Sequence, residues 1–238
     1  MPTVNEVMQL LEEHQSPSTK KTLMVHGARE PVYGVKVGDM KAIMKALKIK
    51  KDHQLALDLY ATGNSDAMYF AGLIADEKKV TKAELDQWLK AAYWYMLHDF
   101  TVPWLAAESP FGEELGLAWI DAPEETIASA GWATLSNWLH LQPNDRLNLE
   151  LYGSLLERVQ KNIHHAQNRV RYTMNGFIIA LGSQLPEMTE RCIEISESLG
   201  KIEVDMGGTS CKVPGAGEYI YKIQEMGRIG KKKKMARC

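Results

Sequence analysis

The chain has 238 residues, of which 45% are hydrophobic and 24% charged, with a net charge of −2. This composition is ordinary for a globular protein with a substantial core. No run approaches the roughly eighteen apolar residues of a membrane span, and the first residues lack the basic start and apolar stretch of a signal peptide. Its three cysteines, Cys192, Cys211 and Cys238, fall in no metal-ligand spacing, so we expect a reduced, cytoplasmic protein with no metal ion and no cofactor.

The charge is unevenly distributed along the chain. Residues 227–238 contain six basic residues and no acid, so the other 226 of the 238 residues carry −8 to give the total of −2. A basic tail on an acidic body is typical of non-specific contact with nucleic acid, because each neutralised phosphate releases a counterion. The alternative is a solvated, disordered terminus that aids solubility. The candidate phosphate contacts of this tail are Lys231, Lys232, Lys233 and Lys234.

Nearly all of the chain up to residue 200 is predicted to be helical. Thr3 and Glu6 have the spacing of a capping box, and Met40, Ile43 and Met44 begin an apolar stripe at helical intervals. The predicted helices cover residues 3–13, 18–25, 40–47, 52–60, 65–75, 82–95, 99–107, 111–120, 121–139, 145–161, 167–182, 186–200 and 217–226.

These helices recur in pairs of roughly 35 to 45 residues, each apolar on one face, as in helical solenoids. Strand signals are almost absent, since only residues 201–204 alternate. We therefore predict an all-α, HEAT-like superhelix of antiparallel helix pairs with one continuous core and a concave face suited to a long ligand. Residues 1–200 would form this domain, and residues 201–238 an extension with a loop, a short helix and the basic tail. Helical periodicity predicts burial of Trp88, Trp94 and Trp104.

The stretch from Tyr93 to Ala106 places five aromatic residues and one carboxylate within fourteen residues. Asp99 is predicted near the start of a helix, where a carboxylate can cap free backbone N–H groups. Aromatic faces beside an acid also suit a flat, positively charged ring. The alternative is an ordinary core next to a helix cap.

A second cluster of charges spans the end of one predicted helix, a turn and the start of the next. In a stacked array, such cations would line one rim, as a phosphate-gripping edge does; the alternative is a solvated rim between helices. The histidines show no HExxH spacing, so they predict no metal site. The cluster consists of Arg158, Lys161, His164, His165, Arg169 and Arg171.

Three segments, residues 33–43, 94–103 and 169–180, resemble the DNA alkylation repair (AlkD-like) family, and the similarity extends over most of residues 20–185. The resemblance implies a HEAT-like fold whose concave, basic face holds duplex DNA. Glycosylase members of the family release bases alkylated at purine N3 or N7. Unlike most base-excising enzymes, they need not flip the base into a pocket.

Position by position, the resemblance places the catalytic acid of the family on Asp99. That acid would stabilise the developing oxocarbenium charge and position water. The aromatic cradle for the lesion falls on Tyr95, where active members have tryptophan, and on Phe177, with Trp94 beside them.

Two arginines that contact the DNA backbone in active members align near Gly131 and Ala180, so this chain lacks both. Arg169 or Arg171 could substitute from a neighbouring turn. Three functions stay open: an alkylpurine glycosylase, a catalytically idle relative that binds damaged or branched DNA, and a helical scaffold that binds another protein. The resemblance favours DNA as the ligand, and the missing arginines favour the idle relative over the enzyme.

Overall fold

The computed structural model of the chain describes residues 2–207, 209 and 211–237. Throughout this range the regular structure is helical, with no β-strand, which confirms the all-α prediction. A π-helix at Met96–Thr101 precedes α7, and 3₁₀ turns lie at Asn144–Arg146, Ile163–His165 and Pro186–Met188. The α-helices are α1 (Val4–Glu13), α2 (Pro17–Val25), α3 (Val37–Ala46), α4 (His53–Ala61), α5 (Ser65–Ile74), α6 (Lys82–Ala91), α7 (Val102–Glu108), α8 (Gly112–Trp119), α9 (Glu125–Leu141), α10 (Leu149–Asn162), α11 (Asn168–Gln184), α12 (Thr189–Leu199) and α13 (Ala216–Glu225).

Side-chain caps explain where several helices begin. The predicted capping box is confirmed at α1, where the Glu6 carboxylate accepts from the Thr3 amide at 2.7 Å and the Thr3 hydroxyl accepts from the Glu6 amide at 3.2 Å. Thr81 and Glu84 form a second box at the start of α6. Each such cap stabilises its helix by about 1 kcal/mol.

The helices stack in two layers. Consecutive helices such as α4 and α5, or α8 and α9, pack against each other across short turns, so they run antiparallel. The second members, α5, α7 with its π-helix, α9 and α11, pack side by side and form one inner row, and α13 closes against α11 and α12. The inner row therefore presents parallel helices whose amino ends lie along one edge and whose carboxyl ends lie along the other.

The buried apolar residues form two clusters, where the sequence predicted one continuous core. The first extends from α1 to the start of α9, and the second from there to α13. They meet where α8 crosses α9 closely: a Cβ added at Gly131 would lie 2.5 Å from the Ile120 amide nitrogen. Close backbone approach thus breaks the side-chain core at this crossing. Trp88, Trp94 and Trp104 are all buried in the first cluster, as predicted.

Asp66 fixes the loop that leads into α3. Its buried carboxylate accepts three backbone N–H bonds, from Tyr33 at 2.6 Å, Gly34 at 3.0 Å and Val35 at 2.8 Å. Gly34 adopts a φ of +81°, and a Cβ there would lie 2.3 Å from the Lys20 amide nitrogen, so glycine is needed. The loop is rigidly attached to α5, and α3 is positioned with it.

The centre of the chain differs from the predicted helices. The helix predicted over residues 82–95 ends at Ala91, and the chain re-enters helix as a π-helix from Met96 to Thr101. The Thr101 hydroxyl donates to the Met96 carbonyl at 2.8 Å, five residues back. Asp99 lies in the first turn of this π-helix, near a helix start as predicted, but its carboxylate accepts from side chains and caps no backbone N–H group among the described residues.

The described residues after position 200 pack on the helical array. Ile202, Ala216 and Ile220 join the second core cluster. Residues 229–237, which we term the C-terminal strap, then run back across the carboxyl ends of the inner helices. The amide of Gly230 donates to the Ser183 carbonyl and that of Lys233 to the His140 carbonyl, each at 2.8 Å. The tail is therefore docked, and its alternative interpretation as a solvated, disordered terminus was wrong for the described residues.

Candidate nucleic-acid interface

Asp99 is enclosed by protein, with 1% of its side chain exposed. Its Oδ1 lies 2.7 Å from Nδ1 of His98, and that nitrogen lies 3.1 Å from the Ser129 hydroxyl. Its Oδ2 accepts from Nε of Arg169 at 2.9 Å and also from Nη2 of the same guanidinium. Both carboxylate oxygens are therefore occupied by side chains of the protein itself.

Arg169 is held in place from several sides. Its guanidinium carbon lies 4.7 Å from the ring centre of Tyr95 and 4.3 Å from that of Tyr172. Its backbone amide donates to Glu125 at 2.7 Å. Cation–π contact with two rings and a two-nitrogen contact with one carboxylate fix the guanidinium firmly over Asp99.

The electrostatics of the cluster favour an ionised Asp99. Complete burial acts to raise its pKa, but the hydrogen bond and charge of His98 and the charge and hydrogen bonds of Arg169 outweigh burial and lower the pKa below its ordinary value. Burial raises the pKa values of Tyr95 and Tyr172, which stay neutral. The cluster is thus a closed, charge-neutralised ion pair beneath an aromatic cover.

The three aromatic residues predicted to contact a base occupy different environments. Phe177 is fully buried and packs edge-on against Trp132, with ring centres 5.1 Å apart. Trp94 is also buried, behind Tyr95. Only Tyr95 is partly exposed, and one face of it is covered by Arg169. The structure thus corrects the expected cradle: Phe177, on α11, and Trp94, in the bend between α6 and the π-helix, are both core residues.

The two positions at which the resemblance implied arginines are also interior. Gly131 lies at the crossing of α8 and α9, and Ala180 is buried in the second core cluster. Neither position has room for an arginine or faces the surface.

The rim cations predicted to grip phosphate do not converge. Arg158 pairs with Asp121 at 2.6 Å and donates to the Ile120 carbonyl at 2.9 Å. Arg169 forms its ion pair with Asp99. Arg171 lines a surface cavity next to Lys201 and Lys212. Lys161 is exposed on α10. These cations are close together in sequence, around one turn. Their side chains lie on different faces of their helices and therefore contact different neighbours.

A cleft of about 470 Å³ opens on the inner row, between Asp99 and the strap. α7, α9 and α11 supply its floor, and Tyr219 of α13 stands at its side. The strap closes the far end with Lys233 and Ala236. The rings that line this cleft are Phe100, Trp104, Tyr172 and Tyr219.

Two segments of the chain are strongly basic, and some of their cations meet at the carboxyl ends of the inner helices. Residues 20–51 contain nine Lys and Arg against two acids, a net +7, and residues 228–237 contain six cations and no acid, a net +6. Since the total is −2, all other residues together carry −15. The structure brings the two basic segments together: Lys41, Lys50 and Lys51 line one cavity with Lys234 and Arg237.

Sequence reasoning missed several residues of these sites. Tyr172 follows Arg169 by three positions on one helix, a spacing that predicts contact along a helix face. The excess of basic over acidic residues in residues 20–51 can be found by counting charges in the sequence. His98 and Ser129 gave no such signal, since their contact depends on the π-helix and on the packing of α9.

Two further classes of site find no support in the described part of the chain. No group of three or more His, Cys, Asp or Glu side chains in residues 2–207, 209 and 211–237 is placed to hold a metal ion. No helix in the same ranges is long and apolar enough to cross a membrane.

Comparison with known proteins identifies the class to which this fold and site belong. The family model described as DNA alkylation repair enzyme matches residues 7–204. The chain therefore belongs to the DNA alkylation repair enzyme family, which confirms the resemblance found in the sequence.

Similar proteins match over nearly their whole length. An uncharacterised protein of Listeria innocua is 33% identical, and one of Listeria monocytogenes is 31% identical, each over 94% of this chain and 98% of the relative. A solved structure is similar over 100% of both chains, with a TM-score of 0.91 and 37% identity. It is described as representing a new family of proteins related to the HEAT-like repeat DNA glycosylases, with affinity for branched DNA structures. The predicted HEAT-like fold is thereby confirmed.

Proposed function

We propose that this protein binds branched DNA and does not excise bases through Asp99. The observation that carries the proposal is the closed environment of Asp99, whose side chain is 1% exposed and whose two oxygens are taken by His98 and Arg169. An acid that stabilises a sugar cation must face that sugar at hydrogen-bond range. In this protein the Asp99 carboxylate faces His98 and the guanidinium of Arg169.

Sequence and charge support DNA as the ligand. The structural relative with affinity for branched DNA is similar over its full length. The two basic segments carry +7 and +6 on a body of −15, and five of their cations line one cavity. Such segregation steers a polyanion to one face and binds it through phosphates.

A junction suits this charge distribution better than a linear duplex. Branched DNA gathers phosphates of several arms around one point, so a protein of this size can contact more of them at once. Each additional contact releases a counterion and increases affinity without base recognition. Binding is therefore expected to depend on DNA shape and salt, and not on sequence.

The test is a binding series with matched DNAs. A four-way junction, a three-way junction and a linear duplex with the same arm sequences are titrated with the full chain by fluorescence anisotropy at several salt concentrations. We expect the junctions to bind at least several-fold more tightly than the duplex. Equal affinity for all three would refute the preference, and no binding to any would refute DNA as the ligand and favour a protein-binding scaffold.

A second measurement addresses catalysis directly. Duplex DNA carrying N3- or N7-methylated purines is incubated with the protein, and released bases are quantified against a blank. We expect no release above the blank. If base release occurs and Asp99→Asn reduces it by the roughly 10²–10³ typical of a lost electrostatic group, the protein is a glycosylase and the proposal fails.

A further inference from the structure

The cavity at the carboxyl ends of the inner helices is lined by more basic than acidic side chains. Its lining contains Lys41, Lys50, Lys51, Lys234 and Arg237 against two acids, Glu77 and Glu108, a net +3. The cavity has a volume of about 270 Å³.

Both acids are already paired within the protein. Glu77 pairs with Lys51 and, at 3.1 Å, with Arg237. Glu108 pairs with Arg237 and accepts from the Ala236 amide at 2.7 Å. The remaining cations are Lys41, Lys50 and Lys234, which are exposed and form no ion pair within the described residues.

The elements that present these three lysines are fixed. Lys41 lies on α3, whose entry loop is held by Asp66. Lys50 lies in the segment before α4, two residues ahead of Asp52, whose amide donates to the Ile74 carbonyl at 2.9 Å. Lys234 is carried by the strap, which is anchored on either side by Lys232 and Arg237. Pre-positioned cations lose less conformational entropy on binding than mobile ones.

Resting on the proposed function, we propose that Lys41, Lys50 and Lys234 form a phosphate-binding surface that grips the backbone of one arm of a branched DNA. Docking of the strap is what completes this surface, because it places a residue from the end of the chain beside two lysines from its first quarter. Lysine is a point charge without a fixed fork, which suits backbone phosphates of varied geometry. Lys45 and Lys48, both exposed, extend the surface along the same segment.

The test compares two triple variants of the full chain. One carries Lys41→Gln, Lys50→Gln and Lys234→Gln. The matched control carries Lys90→Gln, Arg146→Gln and Lys222→Gln, which removes three exposed cations, of α6, of the 3₁₀ turn at Asn144–Arg146 and of α13. None of these six residues bonds through its side chain to another described residue, so both variants are expected to fold, as circular dichroism melting verifies.

Binding to the four-way junction is measured as a function of salt. The surface variant is expected to lose affinity on the order of tenfold or more and to reduce the slope of log affinity against log salt by about 2 to 3, close to 0.9 per lost contact. The control variant should keep the wild-type slope to within about one contact. Replacing the same three surface lysines by arginine should preserve binding.

The outcomes separate this inference from the function on which it rests. If the wild type binds no DNA, the proposed function fails. If the wild type binds the junction but the surface variant keeps its slope, this inference alone is overturned. A control variant that loses as much as the surface variant would also overturn it, because binding would then be spread over the whole basic surface.

Discussion

Arg237 is the residue that attaches the C-terminal strap to the first half of the molecule, and replacing it tests whether the strap is docked in solution. Its side chain is 8% exposed. Nη1 donates to the carbonyls of Ala75 at 2.8 Å, Leu73 at 3.1 Å and Gly72 at 3.3 Å. These carbonyls belong to the end of α5 and would otherwise lack a donor.

The same guanidinium neutralises two carboxylates. Nε donates to Glu108 at 2.9 Å, and Nη2 contacts both Glu108 and Glu77. Breaking a buried pair costs about 3–5 kcal/mol, and a hydrogen bond to a charged group contributes about 1.5–3 kcal/mol. Glu77 keeps Lys51 and Glu108 keeps the Ala236 amide after the change, so part of that cost is avoided.

We therefore expect Arg237→Ala to lower the free energy of unfolding by about 3 kcal/mol, which for a chain of this length lowers Tm by roughly 6–12 °C. Urea and thermal unfolding monitored by circular dichroism measure the change. Arg237→Lys keeps the charge without the planar fork and should lose about half as much. Lys231→Ala, an exposed neighbour in the strap, is the control and should stay within about 0.5 kcal/mol of wild type. If Arg237→Ala also stays within that range, the strap is not docked and this reasoning is refuted.

Three further predictions concern buried groups. Arg169→Ala breaks a buried ion pair and leaves His98 as the remaining partner of the Asp99 carboxylate. It should lower the free energy of unfolding, measured by urea denaturation, by about 3 kcal/mol. Because the pKa of Asp99 is lowered in the folded protein, its ionised carboxylate contributes to stability above about pH 4–5, and this contribution is lost as the pH falls towards the folded-state pKa. Below pH 5, the free energy of unfolding of Asp99→Asn should therefore depend less on pH than that of the wild type. His140, whose pKa is lowered to about 3 mainly by burial and also by Lys233 and Lys232, must stay neutral in the fold. Its contribution is present above about pH 6.5 and decreases by about 2 kcal/mol between pH 7 and pH 5, a loss that His140→Gln should abolish in unfolding measured at the two pH values.

The helices were predictable because their signals are local. Capping residues such as Thr3 with Glu6 and apolar stripes at helical spacing act within a few residues, and the structure has a helix at nearly every predicted position. The π-helix at Met96–Thr101 was not predictable in this way. Its hydrogen bonds span five residues, a spacing that apolar periodicity does not distinguish from an α-helix. Asp99 lies in the first turn of this π-helix but does not cap it, because its carboxylate oxygens contact His98 and Arg169.

The strap and the Asp99 cluster depend on contacts between distant parts of the chain. Arg237 lies 165 positions from Gly72, and Arg169 lies 70 positions from Asp99. Charge counting found the basic tail, but it could not show that Lys232 bonds the Leu139 carbonyl at 2.8 Å while Lys233 and Lys234 line two different cavities. Lysines adjacent in sequence have separate roles because successive residues of an extended segment point to opposite sides.

The ion pair between Arg169 and Asp99 affects how two features of the sequence are interpreted: the carboxylate of Asp99 and the basic residues of the predicted rim. The resemblance places the family's catalytic acid on Asp99, but each carboxylate oxygen of Asp99 contacts a side chain of the protein itself, His98 or Arg169. Arg169 is paired with Asp99, and Arg158 is paired with Asp121. Neither arginine is therefore a free cation for a DNA phosphate. Under the proposed function, phosphate contacts come from cations without intramolecular partners, such as Lys41, Lys50 and Lys234, which line one cavity. One ion pair thus bears on both parts of the proposal: it occupies the Asp99 carboxylate, and it leaves the phosphate contacts to cations other than Arg169.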